Sequence, residues 1–99
     1  MNAIASPTPV EEVDAQTRTR NAFEKVWGVI VWNDPVNLMP YVVFVFKRVL
    51  KMTQEMAHQH MMEVHQRGKS LVAQETREKA EFLVHQLQGF GLQATMEKG

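Results

Sequence analysis

Trp32-Asn33-Asp34-Pro35-Val36-Asn37-Leu38-Met39-Pro40-Tyr41-Val42-Val43-Phe44-Val45-Phe46 is the stretch on which the fold turns. Its first residue ends a β-rich run, Val26 to Trp32, and the turn-forming Asn33-Asp34-Pro35 stops that run, which predicts a first strand. Asn37-Leu38-Met39-Pro40 then reads as a helix start. Asn37 can accept from the orphan amides of a first turn, and Pro40 loses nothing there by lacking an N–H. The next residues support two readings. Tyr41 to Phe46 has strand propensity, yet Val42, Val45, Val49 and Met52 recur at helical spacing, and the cations Lys47, Arg48 and Lys51 suit a helix C-terminus. Periodicity alone puts the helix only slightly ahead.

The sequence beyond is plainer. Thr53 precedes a run with Glu55 in its first turn and Arg67-Gly68 at its end, predicting a helix over about Gln54 to Arg67. Leu71-Val72, set between polar neighbours in Lys69 to Gln74, suits a short strand. Thr76 caps a third helix with Ala80, Leu83, Val84 and Leu87 on one stripe, stopped by Gly89 or Gly91. Leu92, Ala94 and Met96 then alternate with polar residues as in a half-buried strand. The order β-α-α-β-α-β, without internal repeats, predicts an α+β two-layer domain over residues 26–99, with three helices on one face of a small three-stranded antiparallel sheet. Residues 1–25 carry Pro7, Pro9 and scattered charge with almost no apolar periodicity, and read as a flexible, disordered N-terminal arm.

Composition narrows the function. The 99 residues carry 11 basic and 11 acidic side chains, so no electrostatic footprint for nucleic acid is present. At 44% apolar and 22% charged, one soluble core is expected. The absence of cysteine excludes a disulfide framework, thiolate-held zinc and a thiol nucleophile, and fits a cytoplasmic location. Tyr41 to Phe46 falls far short of the roughly 20 apolar residues of a membrane span. Ser6 and Ser70 lack the setting of an activated nucleophile, so no enzymatic activity and no cofactor are expected. His58, His60 and His65 invite a metal reading, but His58 and His60 point about 200° apart on a helix and His58 and His65 are two turns distant, so no metal site is assigned.

Seven methionines are many for this length, and Met39, Met61 and Met62 fall near Asn33, Asp34 and His65 in the sequence pattern. Methionine suits pockets for several apolar guests and also fills small cores. Trp32 to Met39, Tyr41-Val42, Met61 to Lys69, Thr76-Arg77-Glu78 and Ala94 to Lys98, in that order, resemble the bacterial ClpS adaptors over about three quarters of the chain. The resemblance implies a helix after Pro40. It also implies an adaptor that binds proteins by a free, bulky hydrophobic N-terminal residue (Leu, Phe, Trp or Tyr) and delivers these N-degron substrates to the N-terminal domain of a ClpA- or ClpC-type AAA+ unfoldase.

By position, the resemblance puts Asn33, Asp34 and His65 around the substrate's α-amino group and Met39, Val42, Met61, Val64 and Leu92 around its first side chain. Pro35 and Asn37 support the loop, Pro35 standing where a second Asp is common in the family and Asn37 where Thr is frequent. Glu78 matches an acidic residue that docks the unfoldase, and Leu83 stands where a lysine often accompanies it. The arm resembles an N-terminal extension used for delivery. The residue chemistry agrees with the cradle, because an ammonium offers three donors and no acceptor, and an amide oxygen, a carboxylate and a neutral imidazole nitrogen all accept. The resemblance also implies that Met39, at the pocket mouth, disfavours β-branched Val and Ile. The competing expectation is a non-catalytic interaction module of the same fold with lost or altered N-degron specificity.

Overall fold

The structure is a computed structural model that describes residues 24–99. The arm assigned to residues 1–25 therefore lies, for residues 1–23, outside the described residues. The elements are β1 (Trp27–Trp32), α1 (Met39–Leu50), α2 (Gln54–Arg67), β2 (Lys69–Glu75), α3 (Arg77–Gly89) and β3 (Gln93–Lys98). This is the predicted β-α-α-β-α-β order.

Two of the helix starts follow directly from their capping residues. The Thr53 hydroxyl accepts from the Met56 N–H at 3.1 Å, and the Thr76 hydroxyl from the Lys79 N–H at 3.3 Å. Such caps satisfy donors that the first turn leaves orphaned. Gly68 ends α2 with a φ of 88°, and its N–H bonds the Val64 carbonyl at 2.9 Å. At the end of α3 the helix runs through Gly89, and Gly91 takes the left-handed conformation, with a φ of 90°.

The start of α1 corrects the expectation for Asn37. Leu38 occupies the N-cap position and no side chain caps the helix. The Asn37 amide instead donates to the Gly91 carbonyl at 3.0 Å, a tertiary bond that removes it from the helix end. Pro40 lies in the first turn, as expected. The run Tyr41 to Phe46 is helical despite its strand propensity. Val45 and Phe46 are fully buried and Val43 and Val49 nearly so, which makes the core-facing stripe broader than the one read from Val42, Val45, Val49 and Met52.

The sheet has the order β2-β1-β3, with both pairings antiparallel. Val29 and Val31 face the helices and join Phe46, Leu83, Val84, Leu87 and Ala94 in one core. Full burial of a side chain such as Phe46 or Leu87 stabilises the fold by about 1.5–3 kcal/mol. By alternation Gly28, Ile30 and Trp32 face away, beside Leu71 and Thr95 of the flanking strands. The β1–β2 register shifts between Val29 and Ile30, whose partners are Ala73 and Leu71, so Val72 is the extra residue of a bulge.

Candidate functional site

The end of β1 and the end of α2 meet through one backbone bond. The Asn33 N–H donates to the Gly68 carbonyl at 2.9 Å, continuing the ladder past Trp32 and Lys69. Asn33 is thereby held beside the last turn of α2, which carries His65. Gly68 is the hinge of this arrangement, since its left-handed backbone turns the chain from α2 directly into β2.

The segment 33–38 is folded on itself. The Asn37 N–H bonds the Asp34 carbonyl at 3.2 Å, closing a turn around Pro35, and Asp34 Oδ1 accepts the Val36 N–H at 2.9 Å. The second carboxylate oxygen of Asp34 accepts from Gln93 Nε2 at 3.4 Å. Asp34 is thus both an organiser of the loop and a half-buried anion, with lone pairs left for a further donor. Across the loop, Asn37 bonds the Gly91 carbonyl, and the Tyr41 hydroxyl donates to the Phe90 carbonyl at 2.5 Å. These two bonds hold the 90–92 connection against the start of α1 and set Leu92 in place.

Together these segments enclose a cavity of about 330 Å³. Asn33, Asp34, Pro35, Asn37, Met39, Val42, Met61, Val64, His65 and Leu92 all line it. Every residue expected at the α-amino group, the side-chain pocket or the supporting loop is therefore brought together. Glu78 is apart from this group, exposed in the first turn of α3. Val31, Trp32 and Leu38 also line the cavity and were not anticipated. Leu38, exposed beside Met39, carried a sequence signal in the pairing of two large apolar residues at a helix start. Trp32 is fixed by its own contacts, since its indole N–H donates to Thr95 Oγ1 at 2.8 Å and Lys69 Nζ lies 5.2 Å from its ring centre.

The wall is mixed. Met61, Val64 and Leu92 are almost fully buried, Met39 is 40% exposed at the rim, and Asn33 and His65 are exposed polar groups. A site of this size, apolar with a few convergent polar atoms, suits one large side chain and one polar head group. Among the described residues no group of three or more His, Asp or Glu is placed to hold a metal ion, and none of the described helices is long and apolar enough to cross a membrane. His60 instead joins Ser70 and Glu63. Its Nδ1 is 2.8 Å from the Ser70 hydroxyl, which donates to Glu63 Oε1 at 2.5 Å. That buried serine is satisfied within the fold.

Comparison with known proteins agrees across the whole described region. Residues 23–95 match the family model described as "ATP-dependent Clp protease adaptor protein ClpS". The ClpS adapter of Corynebacterium glutamicum (strain R) is 38% identical over 98 residues, covering 99% of this chain and 98% of that protein. The ClpS adapter of Corynebacterium jeikeium is 40% identical over 98 residues, covering 99% and 97%. Among solved structures, Agrobacterium tumefaciens ClpS2 bound to L-phenylalaninamide superposes with a TM-score of 0.70 at 27% identity, covering 76% of this chain and 98% of that one.

Proposed function

Because this chain belongs to the ClpS family of Clp protease adaptors, and so is an adaptor and not an enzyme, we propose that it captures proteins by a free N-terminal Leu, Phe, Trp or Tyr. The cargo passes to a Clp AAA+ unfoldase of the ClpA or ClpC type, in the cytoplasm. The observation that carries this reading is the joint lining of one cavity by three acceptor-bearing residues, Asn33, Asp34 and His65, and by the apolar set Met39, Val42, Met61, Val64 and Leu92. The ClpS2 structure, bound to an amino acid amide with a free amino group and an aromatic side chain, supports it by similarity.

The chemistry makes the specificity two-sided. An α-ammonium meets acceptors only, whereas an acetylated terminus loses its charge and two donors, at a cost of roughly 1–3 kcal/mol for each group left unsatisfied. The side chain contributes about 1.5–3 kcal/mol of burial, which Ala cannot supply. After the cost of association, affinity falls on the order of micromolar. Val and Ile are refused at Met39 by their branching at Cβ. Docking to the unfoldase takes place on the exposed surface around Glu78, at the start of α3.

Fluorescence anisotropy with labelled peptides differing only at the N-terminus tests the reading. Micromolar or tighter binding of free Leu- and Phe-led peptides is expected, with acetylated and Val-led versions at least tenfold weaker. Binding that ignores the N-terminal residue or its acetylation would overturn the reading and favour an interaction module with altered specificity.

A further inference from the structure

One surface of α1 is unexplained by its packing. From the cavity rim at Leu38 and Met39, exposed side chains continue along the helix as Tyr41, Phe44, Lys47 and Arg48 to Lys51 at its end. Phe44 is 50% exposed, in a chain of rings 6.3 Å from Tyr41 and 6.5 Å, edge-on, from Phe90. Phe90 in turn lines a second concavity with Lys47, Arg48, Lys51 and Gln86. Among the described residues, no carboxylate lies within ion-pair distance of any of these three cations. Lys47 donates to Gln54 Oε1 at 2.8 Å, leaving its charge uncompensated. The dipole of α1 favours positive charge at this end. It gives no reason for an exposed aromatic row that leads there from the cavity.

We propose that this stripe is a track for the substrate chain beyond its first residue, and that it selects substrates with acidic residues about four to seven positions into the chain. The inference rests on the N-terminal capture described above. Its geometry follows from helix and strand dimensions. Met39 to Lys47 spans about 12 Å of helix and Met39 to Lys51 about 18 Å, at 1.5 Å per residue. An extended peptide covers about 3.3 Å per residue, so its fourth to seventh residues lie over the cations when its first is in the cavity. Continuity with the cavity mouth assigns the track to the captured chain, and its charge assigns the selected residues to Asp and Glu. Exposed ion pairs are individually weak and screened by salt, so the preference is a several-fold modulation of capture.

The test uses twelve-residue peptides that all begin with free Leu, share their first three residues, and carry three Asp, three Ser or three Lys at positions 5–7. Anisotropy is read with the unsubstituted 99-residue chain and with Lys47→Gln/Arg48→Gln, at low and high salt. At low salt the Asp peptide is expected to bind about three- to tenfold tighter than the Ser peptide, and the Lys peptide more weakly than either. High salt should collapse the order. The double variant, which keeps Lys51, should lose most of the Asp preference while leaving the Ser peptide unchanged. Arg48→Glu, at an exposed position, lowers the charge of this end from three cations to a net of one and should shrink the Asp preference without reversing it. Equal affinities for the three peptides, or an Asp preference undiminished in the double variant, would overturn the track. If none of the Leu-led peptides binds, N-terminal capture itself fails and the track with it.

Discussion

Asp34 carries two tasks in one side chain, and the two can be separated. Its Oδ1 closes the loop on the Val36 N–H, while its charge faces the cavity. Asp34→Asn keeps an acceptor for Val36 and removes the charge; Asp34→Ala removes both. Peptide affinity should fall about tenfold or more in each, as expected when a charge-assisted bond of roughly 1.5–3 kcal/mol is lost. Only Asp34→Ala should also lower the denaturation midpoint. His65→Ala, at an exposed position, should abolish binding with the midpoint unchanged. At this scale the sequence was readable for residue chemistry and not for residue partners. Asn37 is a good cap by type, yet the Gly91 carbonyl, distant in sequence, claims it. Ser70 offered no hint of its bonds to Glu63 and His60, since those depend on how α2 lies against β2.

Elements were legible where their ends carry local chemistry. Thr53, Thr76 and Gly68 act within three or four residues of themselves, so α2 and α3 could be delimited from the sequence. Tyr41 to Phe46 could not be assigned by period, because a helix with a broad buried stripe and a buried strand present the same apolar run; Val43, Val45, Phe46 and Val49 take their burial from neighbours the segment itself does not name. The junction at Gly68 offers the sharpest experiment on an element. A Cβ there would meet no atom within 4 Å, so Gly68→Ala tests the left-handed backbone alone. About 1–2 kcal/mol of stability should be lost, measured by urea denaturation. Peptide affinity should drop as well, because the Gly68 carbonyl holds Asn33. Loss of stability with full affinity would mean that the two element ends find each other without this bond.

For the molecule as a whole, alternation and helical spacing, with the family resemblance deciding α1, were enough to give the layers, the order and most of the core, including Ala80, Leu83, Val84, Leu87 and Ala94. They could not give the strand order, the bulge at Val72 or the cavity, which are relations between segments. The list of cavity residues was legible only through resemblance to a family, since composition and spacing alone left the methionines as core or pocket. Leu87 is fully buried, in the helix that touches all three strands. Leu87→Ala should cost about 2–5 kcal/mol. Binding capacity should then decline with the folded fraction, at unchanged affinity per folded molecule; a change in that affinity would show that the core communicates with the pocket short of unfolding.

The strand order has a consequence in time. β1, the earliest of the described elements, is the middle strand of its sheet, and its partners arrive some forty and sixty-five residues later. Neither edge of β1 can be satisfied locally, and pairings between such distant segments are slow to form. Leu92 and Gln93, which complete the cavity wall and brace Asp34, belong to the last arrival. A nascent chain therefore has no closed cavity until its sheet is whole, and this Clp protease adaptor gains that wall only once β3 has paired with β1.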